Sequence, residues 1–330
     1  MKQNKISIVI PTYNSEEDLA TCLSSIRKQE YPKGKIEILI CDGGSTDDTL
    51  SIAEKFHCRI LYNRKRLAEF GVALGFNKAK GDFVTILAAD NELLSSDFLT
   101  KIIFPFKENN TMLSFPKQVS GEHDSWIASY INTFTDPINH FIYQNSANAR
   151  TFGKTYPIKK KNKDYIIYRF SVVDYPMIAF AQGTTVRKSF IRKKETFGDD
   201  LLPIINFIAS GYDLAYVPKA LVVHHTMKSL GEFIRKQRWA IDNYFLQKNY
   251  GVRKRTIYFS KKRKFKQLIW LAYAGSFIFP LFESIRGVIF KKEKDWIYHF
   301  LLTYIVFWLM LLEIFRIKIV GVRREIARKK

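Results

Sequence analysis

Two short runs of branched aliphatic residues, each ending abruptly in turn-forming residues, constrain this chain more than any other feature. They are Ile6–Glu16 (ISIVIPTYNSE) and Ile36–Thr49 (IEILICDGGSTDDT). A run that is apolar on successive residues suits a parallel strand covered on both faces. The polar cluster then falls at the strand's carboxyl end, where open α/β sheets bind their ligands. Pro11, Thr12, Tyr13, Asn14, Asp42, Gly43, Gly44 and Ser45 are therefore expected to converge on one nucleotide-sized molecule.

The same grammar continues along the chain. Residues 6–11, 36–41, 58–62 and 82–87 read as strands. Glu16–Gln29, Thr46–Phe56 and Ala68–Lys80 read as the helices between them. Such a βαβαβαβ series predicts an α/β fold: a doubly wound, mostly parallel sheet with helices on both faces. From Thr111 to Phe180 the pattern weakens into aromatic and polar residues, expected to form loops and helices around an acceptor. Regular elements return over Gly183–Arg187, Phe197–Gly211, Tyr212–Val223 and His224–Asn249. The expected organisation is one large domain over residues 1–250, with a nucleotide-binding half (1–110) and an acceptor half (111–250). A basic, membrane-anchoring region over 251–330 follows.

Lys and Arg outnumber Asp and Glu by 53 to 31, a formal charge of +22. The excess concentrates late, in Lys154–Lys163, Lys188–Lys194, Arg253–Lys266 and Arg316–Lys330. Such a balance suits nucleic acid or an anionic membrane. No RNP or zinc-finger pattern is present, and the late basic runs flank apolar segments, so the membrane is the expected partner and nucleic acid is not. Those segments are two apolar helices, 268–290 and 296–315, close to the 20 or so apolar residues that a span needs. Basic flanks on both sides place the ends in the cytoplasm if the two form a hairpin; helices lying in the interface and core helices of a soluble domain are the other readings. The catalytic domain is then expected at the cell membrane, on its cytoplasmic side. Cys22, Cys41 and Cys58 have no metal-ligand or disulfide spacing and fit a reducing compartment. The first strand begins within a few residues of Met1, which predicts no signal peptide.

Five motifs in order resemble the family 2 glycosyltransferases, which are inverting enzymes of GT-A fold. They are IVIPTYN, the Asp42 cluster, GVALGFNKAKGDFVTILAADNEL, FGDDL, and the strand YVPKALVVHH with the helix that follows it. The resemblance implies that Pro11, Thr12, Tyr13 and Asn14 shape the nucleotide site, Tyr13 offering an aromatic face to a base. It implies that Asp42 reads the base, most simply uracil, with Gly44 in the same loop. Asp47 and Asp48 fit better as acidic residues at a helix N-terminus.

Where the family has a DxD motif, this chain has Ala88, Ala89 and Asp90. The resemblance implies that Asp90 holds Mg²⁺ or Mn²⁺ on the donor diphosphate, with His224 near the metal; Ala88 in place of the first Asp makes metal use uncertain. In Phe197-Gly198-Asp199-Asp200-Leu201, Asp200 is expected to act as general base and Asp199 is the second candidate. The pair could equally cap the helix beginning near Leu201. Arg235-x-x-Arg238-Trp239 resembles the QxxRW motif of processive members, with Arg in place of Gln. It implies that Arg238 meets phosphate and Trp239 lines the acceptor site.

These features predict an inverting, membrane-associated glycosyltransferase. It would move a sugar from a nucleotide-diphospho-sugar, most simply a UDP-sugar, to a lipid-linked saccharide or glycan acceptor in envelope assembly. Two alternatives stay open: a polyprenyl-phosphate monoglycosyltransferase, and a non-catalytic nucleotide-sugar-binding scaffold, which Ala88 favours.

Overall fold

The computed structural model describes residues 4–190, 199–246, 255–291 and 294–328. Phe197 and Gly198 of the acidic motif lie outside these residues. The described chain forms two compact units, one of residues 1–122 and 145–226 and one of residues 123–144 and 227–330. This differs from the expected division at residue 250. The C-terminal unit begins earlier and also takes in a short apolar stretch from the middle of the chain.

The first unit is built on one sheet of ten strands: β1 (Ile6–Thr12), β2 (Ile36–Asp42), β3 (Arg59–Tyr62), β4 (Phe83–Ile86), β5 (Asn91–Leu93), β6 (Thr111–Val119), β7 (Ile158–Lys161), β8 (Ile166–Tyr168), β9 (Thr184–Arg187) and β10 (Asp213–His224). Their order is β3-β2-β1-β4-β9-β6-β10-β8-β7, with β5 pairing β10. The pairs β1–β2, β1–β4, β2–β3 and β6–β10 are parallel. β9 runs antiparallel to both neighbours, and β5, β7 and β8 add antiparallel pairs at the far side. Its first helices are α1 (Glu16–Arg27), α2 (Thr49–Lys55), α3 (Ala68–Lys78) and α4 (Phe98–Ile103).

The double winding is visible in the alternation of one strand. Ile6, Ile8 and Ile10 enter a core with Leu19, Leu23 and Ile26 of α1 and Phe98 of α4. Val9 enters a second core with Leu39 and Cys41 of β2 and Val72 and Phe76 of α3. Because side chains alternate across a strand, both faces must be covered, and every residue of β1 except Pro11 is buried. The approach of α3 depends on Gly75, where a Cβ would collide with Val9 and meet Cys41 Sγ at 2.8 Å. Burial pushes the Cys41 thiol up to about 12.

The second unit is helical: α5 (Trp126–Phe134) and α6 (Pro137–Tyr143) come from the middle of the chain. After α7 (Leu202–Ala209) of the first unit follow α8 (Leu230–Leu246), α9 (Lys261–Gly275), α10 (Ile278–Lys291) and α11 (His299–Arg328). Tyr130, Phe134, Phe233, Trp270, Trp296, Leu302 and Val306 form its core. Polar groups are threaded through it. The Tyr130 hydroxyl lies 2.7 Å from His299 Nδ1, and Tyr273 donates to Glu283 at 2.6 Å. The first expected apolar helix, 268–290, is broken into α9 and α10, bent by 93°. Phe277 turns the chain with φ +58, and the Ser276 hydroxyl accepts from Phe279 N at 3.4 Å. Residues 294–319 make one helix long and apolar enough to cross a membrane.

Candidate active site

All three βα turns that leave the parallel strands are laced to one another. In the first, Asn14 adopts φ +47, donates its amide to Ser45 Oγ at 2.9 Å, and accepts from Thr46 N at 2.9 Å. Ser15 N donates to Thr49 Oγ1 at 2.7 Å, Glu16 N donates to Asp47 Oδ2 at 3.1 Å, and Asp48 N donates to Glu16 Oε2 at 2.9 Å across the two helix starts. Burial would raise the Asp47 carboxyl, but the Thr49 hydroxyl and the amides of Glu16 and Thr49 hold it below the usual carboxylate range. Asp47 is thus a brace between two helix N-termini.

Asp42 sits at the end of β2, 1% exposed. It accepts from Gly44 N at 2.7 Å, Ser45 N at 3.0 Å, Ser45 Oγ at 2.5 Å and Thr12 Oγ1 at 3.2 Å. Gly44, at φ +92, provides the turn that brings these donors back. The expectation that Asp42 reads a base meets a carboxylate whose two oxygens are already engaged by its own loop. Its evident work is to shape that loop. Thr12 is buried with it, whereas Tyr13 is 56% exposed at the rim, a bare aromatic face.

Sequence reasoning missed Arg66. It follows β3 in a turn whose chain is tied to Asp42 by an Asn63 N to Asp42 O bond of 2.6 Å. Arg66 has φ +57, and its guanidinium lies 3.8 Å from where a Gly44 Cβ would stand. The result is an exposed cation against a glycine turn, chemistry suited to phosphate. A lone arginine in a basic loop carries no pattern that would mark it out.

The second cluster is assembled by strand pairing. β5 lies antiparallel on β10 with Asn91 opposite His224, and His225 N donates to Asp90 O at 2.9 Å. Asp90 Oδ2 is thereby 3.6 Å from His224 Nε2. Gln182, at φ +43, places Nε2 3.3 Å from the same nitrogen. Among the described residues, Asp90 Oδ1 and Gln182 Oε1 are buried and have no hydrogen-bond partner. Buried polar oxygens left in this state cost stability unless a ligand meets them. Sequence reasoning also missed Gln182, a single polar residue before a strand. Outside the pair, His225 lies 3.2 Å from Glu92.

Ala88 occupies the position expected for the first Asp, and only its backbone takes part: its N–H donates to Asn91 Oδ1 at 2.9 Å. Among the described residues no three His, Cys, Asp or Glu side chains cluster as a metal site. Asp90 and His224 nevertheless fit a divalent ion held by two side chains, since Mg²⁺ and similar ions take their other ligands from phosphate and water. The orphaned Asp90 oxygen is the observation that favours this fit.

The two acidic residues before α7 divide their work. Asp199 is 3% exposed and accepts from Leu201 N at 2.7 Å and Leu202 N at 2.8 Å, a cap for the start of α7. Asp200 is half-buried, and its carbonyl accepts from Phe180 N at 2.9 Å, two residues before Gln182. Arg238 and Trp239 belong to the second unit. There Arg238 Nε donates to the buried Glu313 at 2.7 Å, so the guanidinium expected to meet phosphate has an internal partner, while Trp239 is 59% exposed.

The doubly wound sheet, with acidic residues at its strand ends beside laced βα turns, has the GT-A fold. The family model for glycosyl transferase family 2 matches residues 7–173, and the chain belongs to that family. It is 40% identical over 93 residues to a dolichyl N-acetylglucosaminyl-phosphate diacetamido-dideoxy-glucuronosyltransferase of Methanococcus voltae, an alignment covering 26% of this chain and 29% of that protein. It is 35% identical over 103 residues to a GalNAc(5)-diNAcBac-PP-undecaprenol β-1,3-glucosyltransferase of Campylobacter jejuni, covering 29% and 33%. Each match thus spans about a third of the relative's length or less. A solved mannosyltransferase of Pyrobaculum calidifontis, in complex with GDP-mannose and Mn²⁺, shares the fold with a TM-score of 0.53 at 13% identity, covering 94% of this chain and 88% of that one.

Proposed function

We propose that this glycosyltransferase moves a sugar, with inversion, from a nucleotide-diphospho-sugar to a lipid-linked saccharide or glycan at the cytoplasmic face of a membrane. The observation that carries this reading is the Asp90–Gln182–His224 cluster with its orphaned carboxylate oxygen. The names of the relatives support the acceptor: two act on dolichyl or undecaprenyl carriers. A uridine donor rests on the family resemblance.

In this mechanism Tyr13 stacks the base and the loop braced by Asp42 fixes its edge. Arg66 pairs with the diphosphate. A divalent ion held by Asp90 and His224 would neutralise charge on the leaving diphosphate. Asp200 takes the proton of the acceptor hydroxyl as that oxygen bonds to the anomeric carbon. The bond from that carbon to the diphosphate breaks on the opposite face, and the nucleoside diphosphate leaves with the electron pair. Asp199 holds the start of α7 and so positions its neighbour.

Calorimetric titration of UDP and GDP into the detergent-purified chain, with Mn²⁺ and with EDTA, tests the donor half. UDP binding that needs Mn²⁺ is the expected result; failure of both nucleotides to bind would sink the reading. Ala88 favours one rival, a scaffold that binds donor without turnover. Donor hydrolysis or transfer by the native chain, abolished in Asp200→Asn with binding intact, excludes that rival.

A further inference from the structure

The second unit turns a large apolar face outward. On α11, Leu301, Trp308, Leu312, Phe315 and Ile319 are exposed, spaced by three, four or seven residues along one side. The opposite side holds His299, Leu302, Thr303, Val306 and Glu313, all buried. On α10, Ile278, Phe282, Ile285 and Ile289 make a second exposed stripe. Among the described residues the exposed charges on and beside these helices are basic, including Lys261, Lys262, Lys264, Arg286, Lys294 and Lys318. Soluble monomers rarely show so much contiguous apolar surface.

We infer that this face lies flat in the interface of an anionic bilayer, and that α11 does not cross it. Three features carry the inference. First, α11 packs along α8, a helix bearing Glu232, Arg235, Lys236 and Arg238, and Arg238 pairs with Glu313 on its inner side. A spanning α11 would draw those charges into hydrocarbon, where each is strongly disfavoured. Second, α9 and α10 have 15 and 14 residues and meet at 93°. At about 1.5 Å per residue each reaches only some 22 Å, short of a bilayer core of about 30 Å. Third, the apolar stripes with basic residues beside them match the two-part signature of interfacial helices, whose cations meet anionic head groups. The occupant is therefore lipid with negative head groups.

The test uses the full chain with vesicles of phosphatidylcholine, with or without phosphatidylglycerol, and needs neither donor nor acceptor. It can therefore fail separately from the proposed transfer reaction. Binding is expected to require phosphatidylglycerol, to weaken with salt, and to fall about a hundredfold in the double variant Phe282→Asp, Leu312→Asp. Circular dichroism of that variant should match the native chain, because both side chains are exposed. Depth decides orientation. A fluorophore attached at Leu301→Cys, Trp308→Cys or Phe315→Cys, quenched by lipids brominated at known positions, should report one shallow depth at all three sites, with the unsubstituted chain as labelling blank. A spanning helix would separate successive sites by about 10 Å, and that result overturns the inference. So does a folded chain that ignores both kinds of vesicle, or one that self-associates through this face instead.

Discussion

The two ends of the candidate active site are built on opposite terms. Around Asp42 and Asp47 every carboxylate oxygen is met by a hydroxyl or amide of the neighbouring turns. Around Asp90, Gln182 and His224 two buried oxygens have no partner among the described residues. The first arrangement spends its polar groups on holding shape. The second keeps them for something that arrives. Carboxylates at neighbouring strand ends thus do different work, and the difference lies in what surrounds them.

Substitutions can break this contrast. Asp200→Asn should lower kcat about a thousandfold while leaving UDP affinity and melting temperature near native, read by steady-state transfer and calorimetry. Asp42→Asn is expected to cost roughly 2–3 kcal/mol of stability, because its one oxygen can keep Gly44 N and Ser45 N but its nitrogen cannot accept from the Ser45 and Thr12 hydroxyls, and the charge that strengthens all four bonds is lost; thermal unfolding measures it. Asp90→Asn should instead leave the melting temperature unchanged or raise it, and remove the Mn²⁺ dependence of UDP binding. If Asp42→Asn and Asp90→Asn destabilise the fold equally, the contrast is gone. Arg66→Ala should raise the donor KM about tenfold with kcat held, reflecting one lost charged hydrogen bond.

The smallest effect belongs to Glu37, far from both clusters. Burial would raise its carboxyl, but the Ser7 hydroxyl, the Lys80 amide and the charges of Lys5 and Arg59 hold it below the usual range. A depressed carboxyl stabilises the fold above its unfolded value and loses that contribution as pH falls through its folded one. Glu37→Gln should therefore cost about 1 kcal/mol at neutral pH, with the gap to native closing in acid, as unfolding across pH would record.

Much of the first half was legible because its information is local. β1, β2, α1 and α3 announce themselves by strand runs and helical spacing, and the residues at the strand ends are where they were expected. What the sequence hid is non-local. Nothing near Gln182 says that it faces His224, 42 residues away. Nothing in Arg238 says that Glu313 will take its guanidinium. The segment 268–290 looked like one apolar helix since composition cannot register a single turn at Phe277. The stretch after Thr111, expected to form loops and helices, opens instead with the nine-residue β6, whose apolar run is interrupted by Ser114, Pro116 and Lys117, and goes on to β7 and β8, only four and three residues long and too short to display a period.

The seat of β9 in the sheet has a consequence for how the chain is made. β9 fills the gap between β4 and β6, and Thr85 bonds Thr185 across 100 residues of sequence. A nascent chain that has emerged only through β6 must keep the edge of β4 unpaired until β9 follows. At about 5–20 residues per second, the stretch from Val119 to Arg187 takes roughly 3–14 s on the ribosome. During it an apolar strand edge is open to any passing strand, the hazard that folded sheets are built to hide. Expression of fragments ending before Gly183 should therefore yield aggregates, and slowed translation of the full chain should lower its soluble yield.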